Sequence, residues 1–185
     1  MIIGITGRIA AGKETLTEFL RENGFEYFKT SEILAMELEK RGLEINRKNM
    51  QDLGDSWRKE HGPGALMKMI LDKIDMNQNL IIDSLRNAKE AEFLREELGG
   101  NFILVGVDAP RKIRFDRIVK RGKKSDLRVW ENFLEIDERD NFDPKNPLGQ
   151  QVGKCIETAD FVIMNDKDLD HTLNQIKDIY KKLKC

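Results

Sequence analysis

The fold of this chain is decided by the stretch Met1-Ile-Ile-Gly-Ile-Thr-Gly-Arg-Ile-Ala-Ala-Gly-Lys-Glu-Thr15. Its apolar start predicts a buried strand, which leads into Gly7, Gly12 and Lys13 at the spacing G-x-x-x-x-G-K. A loop bracketed by glycines can curl so that its backbone N–H groups point at phosphate oxygens, and the helix expected over 14–23 adds its N-terminal N–H groups. Strand, loop and helix fall where a phosphate-binding loop requires them, which disfavours a simple glycine-rich turn.

The residue after the lysine departs from this motif. Serine or threonine is expected there, because its hydroxyl helps to hold magnesium, but the chain has Glu14. A carboxylate inside the loop would repel a nucleotide, so we expect Glu14 to point away and Thr15 to contact phosphate or magnesium. The residues predicted to form the nucleotide-phosphate site are Gly7, Ala10, Ala11, Gly12, Lys13, Glu14 and Thr15.

Length and composition limit the class of protein. The chain has 185 residues, enough for one α/β domain over 1–185, and 35% of them are charged, yet the net charge is only −1. This balance gives no electrostatic case for nucleic acid or an anionic membrane as partner. Cys155 and Cys185 lie far apart and are expected to be free thiols. With no long apolar run or signal peptide, we expect a cytoplasmic monomer or homodimer.

Apolar runs alternate with helical patterns along the chain, which predicts an α/β fold of three layers, α/β/α, with a mostly parallel five-stranded sheet. The strands are expected at about 1–5, 25–28, 80–83, 102–107 and 159–164. Three helical stretches over 30–78 lack a strand between them and predict a helical insertion above the sheet, with Thr30 or Ser31 capping the first. A basic helix and a polar segment over 122–151, part of which is expected to be mobile loop, together predict a lid over 111–151.

Several polar residues stand where a parallel sheet binds ligands, at the carboxyl ends of its strands or above them. Asp83 ends the third strand and is either a magnesium or catalytic group or a helix N-cap. Arg47, Gln51 and Arg58 share one helix face, which suits an acceptor phosphate and equally a solvated surface.

A second basic face consists of Arg114, Arg117 and Arg121, spaced i, i+3 and i+7. At least one of them is predicted to meet a transferring phosphoryl group, and the alternative is a charged outer face. Asn165 follows the last strand, where a loop would lie against adenine. The order Asn165-Asp-Lys does not match the guanine-specifying N-K-x-D pattern, which favours ATP.

Together these blocks resemble the nucleoside monophosphate kinase-like branch of P-loop enzymes. The first 110 residues are most similar to deoxynucleoside monophosphate kinases, whose G-K-D-T loop, R-x-x-x-Q-x-x-G stretch and D-x-R strand followed by N-E-A-E have counterparts in this chain. The counterparts are Gly12-Lys-Glu-Thr15, then Arg47, Gln51 and Gly54, then Asp83 and Arg86 with Glu90-Ala-Glu92. The last third, with Asp108-Ala-Pro110, the arginine helix and a late strand ending at Asn165, is more similar to dephospho-coenzyme A kinase.

The resemblance implies ATP and Mg²⁺ as cofactors and assigns roles to the residues above. Thr15 and Asp83 would hold the metal, and Lys13 and Asp83 would act in catalysis with Arg114, Arg117 or Arg121. Arg117 and Asn165 would also contact the nucleotide, and the acceptor would be placed by Arg47, Gln51, Arg58 and Arg86.

The leading hypothesis from the sequence is phosphoryl transfer from ATP to a small phosphorylated acceptor, a (deoxy)nucleoside monophosphate. Three alternatives stay open. One is dephospho-coenzyme A kinase, and another is a nucleotide-binding regulator or ATPase switch that phosphorylates nothing, for which Glu14 is the best support. A nucleic-acid 5′-end kinase is disfavoured because the composition predicts no strongly basic surface.

Overall fold

A computed structural model describes residues 1–122, 128–142, 146 and 148–184, with the backbone alone at Arg47. The strands are β1 (Ile2–Gly7), β2 (Glu26–Lys29), β3 (Leu80–Asp83), β4 (Phe102–Asp108) and β5 (Phe161–Met164). The helices are α1 (Lys13–Glu22), α2 (Thr30–Lys40), α3 (Arg47–His61), α4 (Ala65–Leu71), α5 (Ala88–Leu98), α6 (Arg111–Arg121), α7 (Trp130–Asn141), α8 (Val152–Glu157) and α9 (Leu169–Leu183). A 3₁₀ turn, Gly99–Asn101, joins α5 to β4.

The five strands form one parallel sheet in the order β2-β3-β1-β4-β5. The predicted five-stranded parallel sheet is therefore confirmed. Because all strands run the same way, their carboxyl ends lie along one edge, where Lys29 is the register partner of Asp83 and Gly7 that of Val107. That edge carries the loop after β1 and the turn after β3.

Apolar side chains cover both faces of the sheet, as a parallel sheet requires. Successive residues of β1 alternate between two core clusters, with Ile2 in one and Ile3 in the other. The first cluster joins the sheet to helices α2–α5 through residues such as Trp57 and Leu94, and the second joins it to α1 and α9. Helices on both faces complete the three predicted layers.

Part of 122–151 was expected to be loop, and the sequence did not predict that Trp130–Asn141 forms a helix, α7. Its apolar side is short but well packed, since Phe133 is fully buried and its ring lies 5.4 Å from that of Phe115. Its polar composition misled because Asp137 and Asp140 are buried rather than solvated. Residues 123–127, 143–145 and 147 of the predicted lid lie outside the described residues.

Several smaller features of the structure differ from the sequence prediction or complete it. Helix α8 was not predicted, and the N-cap of α2 is Lys29 rather than Thr30 or Ser31, because the hydroxyl of Thr30 donates to the carbonyl of Asp83 at 2.7 Å. Cys155 is a buried free thiol, whereas Cys185 lies outside the described residues. None of the helices in the described part of the chain has the length and apolar character to cross a bilayer.

Candidate active site

The loop between β1 and α1 has the tight backbone that its glycines allow. Gly12 has φ 94° and Ala10 has φ 57°, both in the left-handed region, which disfavours larger side chains. A Cβ atom on Gly12 would lie 2.1 Å from the side-chain nitrogen of Asn165, and one on Gly7 would lie 2.3 Å from the carbonyl oxygen of Val107. Both glycines are therefore required by close packing of the loop against β4 and the turn after β5.

Lys13, the first residue of α1, curls back over this loop. Its Nζ donates to the carbonyl oxygens of Gly7 at 2.9 Å and Arg8 at 3.2 Å. Burial, and next the positive charge of Arg86, lower the pKa of Lys13 to about 8. A partly desolvated ammonium group of this kind is strongly stabilised by an incoming anion, which suits a phosphate ligand.

Asn165 and Arg117 brace the loop from the other side. The Asn165 amide donates to the carbonyl of Ala11 at 2.9 Å, and the Arg117 guanidinium donates to both the carbonyl and the side-chain oxygen of Asn165, each at 2.9 Å. Arg117 also donates to Ala11 at 3.2 Å. Both residues were predicted to contact the nucleotide. The structure places them at the loop but gives their polar atoms contacts with the protein.

Asp83 ends β3 beside the loop and is 8% exposed. Its Oδ2 accepts a hydrogen bond from the hydroxyl of Tyr27 at 2.7 Å, whereas its Oδ1 is buried without a partner among the described residues. Burial, and then this hydrogen bond, raise the pKa of Tyr27. A buried carboxylate oxygen without a partner is costly, and hard divalent cations prefer oxygen ligands. The geometry therefore fits Mg²⁺, held directly or through water.

A cavity of about 340 Å³, here called the loop cavity, lies beside the phosphate-binding loop. It is lined by Ala10, Gly12, Lys13, Glu14, Thr17, Glu18, Arg21, Tyr27, Lys29, Asp83, Ser84 and Arg121.

Glu14, which was expected to point away from the phosphate-binding loop, is one of the residues that line the loop cavity. Its carboxylate pairs there with Arg121 at 2.7 Å, on side chains that are 72% and 45% exposed. Residues 14, 17, 18 and 21 line the cavity because α1 turns that face towards it. Thr15 is not among the lining residues, so the structure gives its predicted metal contact no support, and Thr17 carries the hydroxyl on the cavity side.

A second cavity of about 190 Å³, here called the arginine cavity, lies between the helical insertion and the segment after β3. It is lined by Lys29, Thr30, Ser31, Leu34, Met50, Gln51, Gly54, Asp55, Arg58, Leu66, Ser84, Arg86, Glu90, Arg139, Asn146 and Gln150. The structure thus brings together three of the four residues predicted to bind an acceptor: Gln51, Arg58 and Arg86. The fourth, Arg47, begins α3, but its side chain lies outside the described residues.

The arginines of this cavity are held by acidic and amide partners. Arg58 is 7% exposed and donates through Nε to Glu90 at 3.1 Å and through Nη1 to Asp55 at 2.9 Å. Arg86 donates to Gln150 at 3.2 Å and lies 3.6 Å from Asp140. These contacts fix the guanidinium groups before any ligand arrives, which lowers the entropic cost of binding an anion.

The catalytic role predicted for Arg114 does not fit its position. Its side chain is 2% exposed and forms a two-pronged ion pair with Asp137, and its Nε donates to the carbonyl of Ala109 at 2.9 Å. A further bond to the carbonyl of Ile9 ties α6 and α7 to the loop. Hydrogen bonds from Arg114, followed by the charges of Arg114 and Arg111, overcome the effect of burial and lower the pKa of Asp137. Arg114 therefore has a structural role. Of the three arginines predicted on α6, it is Arg121 that lines the loop cavity.

Sequence reasoning missed several residues that line the two cavities. Lys29 and Ser84 stand at strand ends, so their position on the ligand edge of the sheet could have identified them, whereas Tyr27 lies inside β2. Arg139 and Gln150 lie in and after the unpredicted helix α7. The spacing of Trp130, Phe133 and Leu134 would have indicated that helix, but nothing in it indicates which cavity its polar side reaches.

Comparisons with known proteins agree with this architecture. The profile of the family AAA_18, described as an AAA domain, matches residues 3–143. A UPF0200 protein from Methanosarcina barkeri (strain Fusaro) is 32% identical over 171 residues, covering 91% of this chain and 88% of the relative. TT1252 from Thermus thermophilus superposes with a TM-score of 0.64 at 18% identity, covering 99% of this chain and 97% of that one. For shikimate kinase from Aquifex aeolicus the TM-score is 0.59 at 17% identity, with 100% and 96% covered.

The structural likenesses, at such low identity, show the fold alone, and it is the α/β fold of P-loop kinases. The predicted resemblance to P-loop kinases is confirmed at this level, while these relatives do not show the more specific resemblance to deoxynucleoside monophosphate kinases. The family profile spans well over half of the chain, and the curated relative matches nearly all of it. The chain therefore belongs to the AAA_18 family of P-loop proteins and, within it, groups with the UPF0200 proteins.

Proposed function

We propose that this protein transfers the γ-phosphoryl group of ATP, with Mg²⁺, to a small phosphorylated acceptor, and that a (deoxy)nucleoside monophosphate is the acceptor class. The observation that carries the proposal is the junction of the two cavities: Lys29 and Ser84 line both of them. A cavity next to the phosphate-binding loop adjoins a cavity lined by three arginines. This is the arrangement that direct transfer between two phosphates requires.

The loop cavity would hold the donor. Its backbone N–H groups and the N-terminus of α1 suit the phosphates of ATP, and Lys13 would counter the charge that develops on the transferred group. Mg²⁺, bound by Asp83 directly or through water, would neutralise further charge on the β- and γ-phosphates. Arg121, next to Glu14 at the mouth of the cavity, is the predicted lid arginine best placed to meet the γ-phosphate.

The arginine cavity would hold the acceptor. Arg58, Arg86 and Arg139 suit an acceptor phosphate, while Gln51 suits a hydroxyl or base. Leu34, Met50 and Leu66 add an apolar wall of the kind that a flat ring packs against. This mixture of cations, hydrogen-bonding groups and apolar side chains supports a nucleotide as acceptor over a simple sugar alcohol.

Two rival functions make different demands on the arginine cavity. Dephospho-coenzyme A kinase would use the same loop with another acceptor, so only an acceptor test separates it. A nucleotide-binding switch phosphorylates no acceptor, so it needs no second cavity beside the loop cavity. The pre-paired arginines beside the loop cavity therefore favour a kinase over a switch.

The deciding experiment is ADP release from ATP and Mg²⁺ across a panel of acceptors. The panel contains the ribo- and deoxynucleoside monophosphates, dephospho-coenzyme A and phosphomevalonate, with each reaction repeated without acceptor. We expect strong stimulation by one nucleoside monophosphate or a small set of them. Stimulation by dephospho-coenzyme A alone would identify the rival kinase. Tight ATP binding with no stimulation by any acceptor would favour the switch.

A further inference from the structure

We propose that Lys29 is a further catalytic residue, whose ammonium group contacts the phosphoryl group while it passes from nucleotide to acceptor. This inference rests on the proposed function and adds to it a residue in the path of transfer. Lys29 was not among the residues that the sequence singled out. Its role is indicated by its position, where the two cavities meet.

The position of Lys29 follows from the sheet. It is the last residue of β2, and its register partner is Asp83, the last residue of β3. Both strands therefore end at the same level, beside the phosphate-binding loop. Lys29 lines the loop cavity and also the arginine cavity, a property it shares with Ser84. A group moving between the cavities passes these two residues.

The turn that follows Asp83 is held in an unusual conformation. Ser84 has φ 70°, in the left-handed region that residues other than glycine seldom adopt. Thr30, directly after Lys29, ties the two strand ends together through its bond to the carbonyl of Asp83. The junction is thus a fixed part of the fold, with Lys29 on one side and Ser84 on the other.

Lys29 differs from Lys13, Arg58 and Arg121 in having no hydrogen-bond or ion-pair partner among the described residues. Lys13 is bound to loop carbonyls, Arg58 to two carboxylates, and Arg121 to Glu14. The ammonium group of Lys29 is exposed and makes no hydrogen bond or ion pair with another described residue. An unpaired cation with three donors at this place can follow a moving phosphoryl group without first breaking a contact.

The chemistry of the step defines what Lys29 would do. An oxygen of the acceptor phosphate forms a bond to the γ-phosphorus, while the bond from that phosphorus to the β,γ-bridging oxygen breaks and ADP leaves with its electron pair. With the acceptor phosphate as a dianion, no proton has to move. The three equatorial oxygens of the transferring group lie between two anions at that moment, so a cation beside them lowers the barrier more than it improves ground-state binding.

The test compares three variants by steady-state kinetics with the acceptor identified by the panel. Lys29→Met removes the charge, Lys29→Arg keeps it, and Lys40→Met is the matched control, since Lys40 is an exposed lysine at the other end of α2 and lines neither cavity. Thermal unfolding and the dissociation constant for ADP with Mg²⁺ are measured for each variant, so that misfolding and loss of nucleotide binding are recognised.

We expect kcat of Lys29→Met to fall about 10²–10³-fold, with KM for ATP and acceptor within about threefold of wild type. Lys29→Arg should recover most of this loss, and Lys40→Met should match wild type. A Lys29→Met variant with wild-type kcat, or one that raises only the acceptor KM, would overturn the inference while leaving the kinase assignment intact. A wild-type protein that transfers to no acceptor would instead overturn the proposed function, and the role of Lys29 with it.

Discussion

The two cavities that meet at Lys29 are built in opposite ways. The loop cavity takes most of its lining from one short segment, Ala10 to Arg21, completed by Tyr27, Asp83 and Arg121. The arginine cavity draws on residues from Lys29 to Gln150, in α2, α3, α4, α5 and α7 and in the segments between the elements. The proposed donor side of the site is local in sequence, whereas the proposed acceptor side is assembled by the tertiary fold.

This difference affects how freely each cavity can change between related proteins. A contiguous loop keeps its geometry wherever a strand and a helix flank it, so phosphate binding transfers easily between relatives. A cavity made by distant helices changes whenever one of them changes, so it can specialise for an acceptor. We therefore expect damage to the loop cavity to affect every acceptor equally, and damage to the arginine cavity to depend on the acceptor or on stability.

The largest effect should come from Lys13→Met. It removes the cation of the loop cavity, so kcat should fall about 10³-fold or more with any acceptor. The fold should persist, because the ammonium group bonds only to two loop carbonyls and is costly to bury. Turnover and thermal unfolding measured on the same preparation test both parts. Retention of wild-type turnover would contradict the assigned role of the loop.

The second prediction concerns the stability of the arginine cavity. Arg58→Met leaves one oxygen of Glu90, which is 1% exposed, without its partner, while the other keeps the backbone N–H groups of Arg86 and Asn87. The free energy of unfolding should fall by about 3 kcal/mol. Urea denaturation measures the change.

Two companion variants sharpen that test. Lys59→Met, at the exposed neighbouring residue, should change stability by less than about 0.5 kcal/mol. Arg58→Met combined with Glu90→Gln should regain part of the loss, because a neutral amide is cheaper to bury than an unpaired carboxylate. Equal stability of wild type and Arg58→Met would show that the ion pair is not part of the framework.

The third prediction is a pH dependence specific to the loop cavity. Burial lowers the pKa of Lys13 to about 8, so the protein without nucleotide carries the charge below this pH and loses it above. Since kcat/KM reports groups of the unliganded enzyme, kcat/KM for ATP should fall about tenfold per pH unit above that pKa. Bound phosphates raise the pKa of Lys13, so kcat should stay level to higher pH.

Lys13→Arg is the matched control for this profile, because arginine does not titrate in this range. Whatever activity it retains should vary little above pH 8, the pKa that burial gives Lys13. The same descending limb in wild type and Lys13→Arg would assign the titration to another group.

The contrast between local and assembled structure also explains what the sequence could predict. Helix α5 spans Ala88–Leu98 because local signals define both of its ends: Asn87 and Glu90 form a capping box at its start, and Gly99 ends it. The loop and all five strands were predicted for the same reason, since their signals lie within a few residues of one another. Gln51, Arg58 and Arg86 were predicted as site residues by spacing and resemblance.

Features that depend on distant partners were not predictable in this way. Helix α7 carries buried acids that look like solvated residues until Arg114, 23 residues away, is seen to pair with Asp137. The same pair removes Arg114 from catalysis. The orientation of Glu14 depends on how α1 packs on the sheet, which a motif does not encode. Sequence patterns report residue types and local geometry, whereas the pairing of charges across the fold decides which of them face a ligand.

The smallest effect is expected from Glu14→Gln, and it tests the one departure from the loop motif. The Glu14–Arg121 pair is largely exposed, so its loss should change the free energy of unfolding by less than about 0.5 kcal/mol. Because the substitution removes a negative charge from the loop cavity, ADP should bind about threefold more tightly at low salt. The gain in affinity should shrink as salt screens the site.

Glu22→Gln, at the far end of α1 and outside the loop cavity, is the control and should leave the affinity for ADP unchanged. Calorimetry with and without Mg²⁺ makes the comparison. If Glu14→Gln instead weakens binding only when Mg²⁺ is present, Glu14 helps to hold the metal, and the carboxylate would then replace the hydroxyl that the motif normally supplies.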